Sequence, residues 1–159
     1  MMMFEKATRF TVKTGKATSS VSTLNAVDKA MHNASIGDLN LVKVSSILPK
    51  NIEKVEDISA KKGDFRPVVL SKATGSGNRL VAGLAWCFGE DGQGGYVMEH
   101  FSEREDIDID VFKRELQEKL REMGKVRGVK LKKIEFVYDE LEVSEEEFGC
   151  VLAGLVYLP

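Results

Sequence analysis

This 159-residue sequence has few of the residues that build metal sites or disulfides. It contains two cysteines, Cys87 and Cys150, and two histidines, His32 and His100, which form no cluster with metal-ligand spacing. We therefore expect no structural metal. Both cysteines lie in apolar segments, and this placement favours buried, reduced thiols over a single disulfide.

The sequence also lacks an excess of one charge and any long apolar run. Its 23 basic and 25 acidic side chains give a formal charge of −2, which provides no basic field for nucleic acid. No segment reaches the ~20 apolar residues of a membrane span, and residues 1–6 lack the apolar core of a signal peptide. The sequence thus predicts a cytoplasmic protein that binds neither nucleic acid nor membranes.

The apolar residues that are present indicate one domain over residues 1–159. A hydrophobic content of 43% supports a packed core of that size. Their spacing predicts mainly strands with two substantial helices. The predicted strands cover residues 6–14, 39–46, 68–73, 80–88, 96–101, 129–138 and 149–158. A loop is expected at residues 16–20.

Capping and glycine signals predict the helix ends. The first helix is capped by Ser22 or Thr23 and is broken by Gly37. Its predicted apolar face consists of Leu24, Val27, Met31 and Ala34. The second helix opens with a capping box at residues 102–105 and ends near Gly128.

The order of the predicted elements points to an α+β fold. A glycine-serine cluster at residues 74–78 is typical of a hairpin turn between the strands on either side of it. Strands in hairpin-like series argue against a doubly wound sheet. Two packed, mainly antiparallel sheets with a helix on each outer face would cover every apolar surface. We therefore expect a four-layer αββα sandwich.

Two adjacent serines, Ser45 and Ser46, stand out at the end of the apolar stretch 40–44. That stretch is extended in character, and Pro49, which has no N–H, stops any strand ladder. The pair is therefore predicted to lie where a strand ends and the backbone turns. In such a turn the hydroxyls can simply satisfy local hydrogen bonds, and residue types alone favour that role.

A serine in a distorted turn also has a second chemical option. The Ser46 hydroxyl can attack the Ser45 carbonyl, and the resulting ester can eliminate to dehydroalanine. Hydrolysis then leaves a pyruvoyl group at residue 46. Such a ketone forms a Schiff base with a substrate amine and acts as an electron sink.

Four stretches of the chain resemble a known family. Residues 25–28 (Asn-Ala-Val-Asp) and 33–49, which include the serine pair, are similar to the processing region of the pyruvoyl-dependent arginine decarboxylases. Residues 95–99 (Gly-Tyr-Val-Met-Glu) and the ending 147–157 fit as well. The resemblance spans most of the chain and is densest over residues 24–49.

The resemblance implies a self-cleaved enzyme with the same αββα fold. It implies cleavage into a beta chain, residues 1–45, and an alpha chain, residues 46–159. The cofactor would be a covalent pyruvoyl group made from Ser46, with no pyridoxal phosphate and no metal, and no lysine has a context that suggests pyridoxal phosphate attachment. The reaction would convert arginine to agmatine and carbon dioxide. The family assembles as trimers or hexamers with active sites between subunits.

The resemblance also assigns roles around the cleavage site. Ser46 would supply the electrophile and Ser45 the attacked carbonyl, while Asn40 would assist cleavage through its amide. Glu99 would deliver a proton to the substrate α-carbon. Because Glu99 follows two apolar residues, we expect burial to raise its pKa. Without the resemblance, Asn40 would be read as a strand start and Glu99 as a strand-end carboxylate.

A second group of residues would recognise the substrate side chain. In the family, the aspartate that matches Asp28 sets specificity, and a carboxylate accepts two hydrogen bonds from a guanidinium. Leu24, Gly37 and Leu39 would line the pocket. His100 stands where many relatives have an aromatic residue.

Two other functions remain open from the sequence. The chain could decarboxylate another cationic amino acid by the same chemistry. It could instead be an uncleaved, non-catalytic paralogue that serves as a binding or structural subunit.

Overall fold

The computed structural model describes residues 6–159, so most of the segment used to judge the signal peptide lies outside the described residues. Within that range the chain forms β1 (Arg9–Ser19), α1 (Thr23–Asn33), β2 (Asn40–Lys43), β3 (Ile47–Leu48), β4 (Glu53–Lys54), β5 (Phe65–Gly75), β6 (Arg79–Phe88), β7 (Gly95–Ser102), α2 (Ile109–Arg127), β8 (Glu135–Glu142) and β9 (Phe148–Leu158).

These strands form two sheets. Sheet A has the order β2-β5-β9-β1-β4, and sheet B has the order β3-β7-β6-β8. The pairs β1–β4 and β2–β5 are parallel, and the other pairs are antiparallel. Helix α1 packs on sheet A and helix α2 on sheet B. The predicted α+β sandwich, with four layers, is therefore confirmed.

The space between the sheets is filled by an apolar cluster from both of them. Phe10 and Leu155 of sheet A pack with Leu84 and Val97 of sheet B, and all four are buried. This core fixes the distance between the two sheets. As a result, a segment that crosses from one sheet to the other does so at the ends of the strands.

The predicted buried face of α1 is wrong in one respect. Ser22 caps the helix as expected, accepting a hydrogen bond from Asn25, but Leu24 is 80% exposed. Ala26 and Ala30 face the sheet instead. They can do so because Gly15 has no side chain, and a Cβ at that position would overlap the carbonyl oxygen of Ala30.

Helix α2 ends at Gly128 as predicted, with the left-handed φ of 66° that glycine adopts readily. Its start differs from the prediction. Asp108, not Ser102, caps the helix and accepts hydrogen bonds from the N–H groups of the next turn. Ser102 is the last residue of β7, because the sheet hydrogen bonds continue through it to Val81.

The predicted hairpin at residues 74–78 is also wrong. Strand β5 belongs to sheet A and β6 to sheet B, so this turn carries the chain between the sheets. The predicted loop at 16–20 continues as strand, because β1 pairs with β9 as far as Ser19. Strand β8 begins later than expected, at Glu135.

The two thiols of Cys87 and Cys150 are free and buried, as the sequence predicted. Burial raises the pKa of each to about 11. In the part of the chain that the structure describes, no helix is both long and apolar enough to cross a membrane. Over the same residues, no three His, Cys, Asp or Glu side chains are placed to hold a metal ion.

Candidate active site

The serine pair lies where the chain leaves sheet A and enters sheet B. Strand β2 ends at Lys43, the backbone bends at Ser46, and β3 begins at Ile47. On the sheet A side, the N–H of Val44 donates to the Val68 carbonyl at 3.0 Å. On the sheet B side, the Ser46 carbonyl accepts a hydrogen bond from β7. The peptide bond between the serines thus lies between one residue bonded to sheet A and one bonded to sheet B. This position agrees with the predicted strand end and turn.

Strand β7 provides the anchor on the sheet B side. The N–H of Val97 donates to the carbonyl oxygen of Ser46 at 2.9 Å. One residue further on, the hydroxyl of Tyr157 on β9 donates to the Ile47 carbonyl at 2.7 Å. Tyr157 is 6% exposed, and burial raises its pKa to about 12, so the phenol keeps its proton at neutral pH.

Glu99 lies two residues beyond Val97 on β7. Alternate residues of a strand share one face, so Glu99 and Phe101 continue the face on which Val97 packs between the sheets. Unlike Val97, both are exposed. The expectation that apolar neighbours in this chain bury Glu99 is therefore wrong, and exclusion of water from this carboxylate requires a second surface.

A cleft of about 480 Å³ opens beside Glu99 between the edges of the two sheets. The lysines Lys43 and Lys72 line it from sheet A and Lys119 lines it from α2. His100, the next residue on β7, bonds to Glu115 and Lys119, and its ring centroid lies 4.7 Å from that of Phe112. Within the residues described, Glu99 is the only carboxylate that lines this cleft, and it shares the cleft with three lysines.

Asp28 lies in a separate cleft of about 590 Å³ on the outer side of sheet A, and Gly37 lines the same cleft. Leu24 is one helical turn before Asp28 and shares its exposed face. A Cβ at Gly37 would lie 2.9 Å from the backbone of His32, so only glycine lets this turn pack against the helix end. Leu39 is partly buried and lines a neighbouring cleft instead.

Asn40 stands at the start of β2. Its side-chain amide donates to the Gly63 carbonyl and its backbone N–H donates to that of Asp64, both at 2.9 Å. Five residues separate it from Ser45, which corresponds to about 16 Å of extended chain. Within one chain, Asn40 therefore does not reach the carbonyl of Ser45.

The predicted site residues thus fall into two groups. The first is the serine pair with Glu99, and the second is Asp28 with Leu24 and Gly37. Neither cleft includes residues 45 and 46. Large apolar side chains are exposed around both groups, which is typical of a contact surface. They are Val44, Ile47 and Phe101 near the first group, and Val21 and Leu24 near the second.

Sequence reasoning missed three residues around the first group. Tyr157 lies in an apolar run that reads only as a buried strand, so no signal marked its hydroxyl. Lys119 lies among the charged positions of an amphipathic helix, and its neighbour Glu115 does too. Their partner His100 gave the only sequence signal, because it departs from the family pattern.

Comparisons with known proteins agree with these observations. The family described as "Pyruvoyl-dependent arginine decarboxylase" matches residues 8–159. A protein of that name from Methanopyrus kandleri is 34% identical over 145 residues, covering 91% of each chain. One from Methanothermobacter thermautotrophicus is 35% identical over 147 residues, covering 91% of this chain and 93% of its own. One from Pyrococcus horikoshii is 31% identical over 141 residues, covering 84% and 85%.

An α+β sandwich with a serine pair between its sheets, matched over nearly its whole length by these proteins, is a decarboxylase, a lyase that breaks a carbon–carbon bond. More specifically, the chain belongs to the pyruvoyl-dependent arginine decarboxylase family. Its cofactor class is accordingly a covalent pyruvoyl group and not pyridoxal phosphate.

Proposed function

We propose that this protein cleaves its own backbone between Ser45 and Ser46 and, with the pyruvoyl group formed at residue 46, decarboxylates L-arginine to agmatine and carbon dioxide. The observation that carries the proposal is the position of the serine pair. Val44 is tied to sheet A and Ser46 to sheet B, so the peptide bond between the serines belongs to neither ladder. Attack on its carbonyl therefore disrupts no sheet hydrogen bond.

The cleavage balances with one water molecule. The Ser46 hydroxyl oxygen attacks the Ser45 carbonyl carbon, and the acyl group moves from nitrogen to oxygen. Loss of the α-proton of residue 46 expels the Ser45 carboxylate as the end of the small fragment. Water then replaces the freed nitrogen, which leaves as ammonia. The N–H of Val97 favours loss of that proton, because it stabilises the negative charge that develops on the Ser46 carbonyl oxygen.

The cut does not separate the two fragments. Residues before the cut supply β1, which pairs with β9 over eleven residues, from Arg9–Leu158 to Ser19–Phe148. They also supply β2, which pairs with β5. Helix α1 adds the buried contacts of Ala26 and Ala30. The fold therefore stays intact while residue 46 becomes a chain end.

The surroundings of residue 46 fit a covalent ketone at this position. Residue 46 is half-buried at a bend, and hydrogen bonds from Val97 and Tyr157 fix the segment that follows it. The pyruvoyl group supplies a carbonyl that binds the substrate amine and withdraws the electron pair released with carbon dioxide. In this proposal Glu99, two residues beyond Val97 on the strand that bonds to residue 46, holds the proton that the α-carbon takes up.

Asp28 binds the guanidinium group of the substrate in this proposal. A carboxylate and a guanidinium pair through two parallel hydrogen bonds, which suits the planar end of arginine. Leu24, exposed on the same helix face, contacts the methylene stem, and Gly37 lets the turn that lines the cleft pack closely against the helix end. Leu39 lines the neighbouring cleft, and Asn40, which does not reach Ser45 of its own chain, assists cleavage in a neighbouring subunit.

Because the two groups of site residues lie apart in one chain, they meet between two subunits of a homo-oligomer. The exposed apolar residues around each group supply the contact, and burial there excludes water from Glu99. We propose a trimer, or two trimers paired into a hexamer, in the cytoplasm. This arrangement gives each site Ser46 and Glu99 from one subunit and Asp28 from its neighbour.

Intact mass under denaturing conditions tests the proposal directly. The wild type is expected to give two fragments, split before residue 46, with the larger one blocked to Edman sequencing. Ser46→Ala should stay whole and inactive. Ser45→Ala is the matched control, because it keeps the attacked carbonyl and should still cleave. An active wild-type assembly made of one whole chain would contradict the proposal.

Turnover of arginine, lysine and ornithine by the cleaved protein tests the substrate. We expect arginine to be turned over most efficiently. A preference for lysine or ornithine would assign the chain to another cationic amino acid. A whole chain without turnover of any of the three would assign it to a binding or structural subunit.

A further inference from the structure

The carbonyl of Ile47 has an unusual partner for a strand residue. It accepts its hydrogen bond from the hydroxyl of Tyr157, at 2.7 Å, which reaches across from β9 in sheet A. Tyr157 lies in the apolar cluster between the sheets, together with Leu48 and Val97. This bond therefore links the two sheets one residue after the proposed cut.

The hydrogen-bond pattern of β3 explains why a side chain must act here. Ile47 lies opposite Tyr96, and the bond from Val97 to Ser46 makes this a non-hydrogen-bonded pair. The carbonyl of Ile47 thus points away from β7. Because β3 is the edge strand of sheet B, no further strand from residues 6–159 lies on that side. A carbonyl in such a place needs a donor from elsewhere.

Two consecutive carbonyls are therefore fixed in opposite directions. Val97 holds that of Ser46 towards β7, and Tyr157 holds that of Ile47 towards sheet A. The bond from Tyr157 orients the peptide plane that joins residues 47 and 48, and the bond from Val97 orients the plane that joins residues 46 and 47. This plane sets the direction in which residue 46 presents its side chain to the carbonyl of residue 45.

We propose that Tyr157 is a positioning residue for residue 46, both when the Ser46 hydroxyl attacks Ser45 and when the finished pyruvoyl group serves in decarboxylation. The inference rests on the proposed self-cleavage. Before the cut, the chain on both sides restrains residue 46. After the cut, the only covalent link from residue 46 to the rest of the protein is through Ile47. The hydrogen bond from Tyr157 to Ile47 therefore carries more of that restraint.

Tyr157→Phe tests the proposal, because it removes one oxygen and keeps the ring in the core. The rate of cleavage is measured on freshly synthesised chains by quenched time points and denaturing electrophoresis. We expect cleavage to slow by about five- to tenfold, as for loss of one buried hydrogen bond. In the fully cleaved variant we expect a lower kcat for arginine with KM little changed. Rates of cleavage and kcat within twofold of wild type would overturn the proposal.

Two further variants separate positioning from loss of stability. Tyr138→Phe removes a hydroxyl from a tyrosine that packs on the α2 side of sheet B, and it should cleave at the wild-type rate. Leu116→Val lowers the Tm through the α2 core without touching residue 46. The cleavage rates of Leu116→Val and Tyr157→Phe are compared at equal Tm. If Leu116→Val slowed cleavage as much as Tyr157→Phe does, the positioning role of Tyr157 would be wrong.

Cleavage of the wild-type chain shows whether a negative result concerns only the role of Tyr157 or also the proposed function on which that role rests. A wild-type chain that cleaves, beside a Tyr157→Phe chain that cleaves equally fast, removes the role of Tyr157 and leaves the proposed function standing. A wild-type chain that never cleaves removes both.

Discussion

The ammonium group of Lys119 donates a hydrogen bond to Nδ1 of His100 at 2.8 Å. Because an ammonium group has no acceptor, Nδ1 carries no proton, and Nε2 is the nitrogen that donates to Glu115 at 2.9 Å. His100 is therefore a neutral imidazole. Burial lowers its pKa, the nearby ammonium of Lys119 lowers it further, and Glu115 acts in the opposite direction.

Stability should depend on pH through His100. Its pKa in the folded protein lies below the ordinary value of 6.5, so the unfolded chain binds more protons just below that pH. Relative to His100→Phe, the wild type should lose stability as the pH falls below 6.5 and should show no such change above it. Urea denaturation between pH 5 and 8 measures this difference.

Asp28→Asn should impair the use of arginine and leave self-cleavage unchanged. The amide keeps the size of the carboxylate but removes the charge that pairs with guanidinium. Hydrogen bonds to charged groups contribute about 1.5–3 kcal/mol, so kcat/KM for arginine should fall roughly 10- to 150-fold. Asp38→Asn, in the same cleft, is the matched control. Equal losses for arginine, lysine and ornithine would show that Asp28 does not recognise the guanidinium group.

Glu99→Gln should lower kcat in cleaved protein while the fragments stay assembled. Glutamine has the shape of glutamate but cannot deliver an acid proton, and general acid catalysis contributes about 10²–10⁴-fold. Steady-state kinetics with arginine measures the loss. Glu105→Gln, an exposed change beyond the end of β7, should have no effect. A kcat within threefold of wild type would exclude Glu99 as the proton donor.

Gly15→Ala should destabilise the protein. The added methyl group overlaps the carbonyl oxygen of Ala30, so α1 must move away from sheet A. Overpacking of this kind costs about 1–3 kcal/mol, measurable as the free energy of unfolding in urea. Gly154→Ala is the matched control, because its methyl would meet Val68 at an ordinary 3.4 Å. Equal effects of the two changes would mean that α1 does not depend on the space at Gly15.

The parts of the fold predicted well are those with long, unambiguous patterns. The buried strand at residues 80–88 and the last strand at 149–158 are apolar throughout, and each lies within one residue of the observed bounds. The predicted face of α1 includes Ala34, Val27 and Met31, which pack on the sheet, but it omits Ala26 and Ala30 because alanine gives a weak hydrophobic signal. Ala26 and Ala30 face the sheet only because Gly15 lies opposite them, a pairing that no local pattern contains.

The hairpin at residues 74–78 shows a different limit. A glycine-serine turn between two apolar strands gives no information on whether the strands pair side by side or pack face to face. Here Gly75 ends a strand that already has neighbours on both sides, so the next strand must start another sheet.

The turn that holds the serine pair was predictable from the sequence, but the arrangement of the proposed site residues was not. The strand end at Ser45 and Ser46 followed from Pro49 and the apolar stretch before it. The separation of Asp28 from Glu99 did not, because periodicity places each side chain on an element and does not show how distant elements are arranged. The hydrogen bond from the Tyr157 hydroxyl to Ile47 could not be predicted from the sequence, because it forms only when the two sheets pack together.

Strand β9 has a consequence for when the chain can cut itself. It lies between β5 and β1, and its Tyr157 is 110 residues from Ile47 along the chain. When the two serines emerge from the ribosome, β9 has not yet been synthesised. The growing chain therefore lacks the strand that joins β5 to β1 in sheet A. Residues 148–158 must be synthesised and inserted between β5 and β1 before the bond at residue 45 is aligned. If the proposed cleavage takes place, synthesis of these late residues delays it, and both fragments originate from one continuous, already folded precursor.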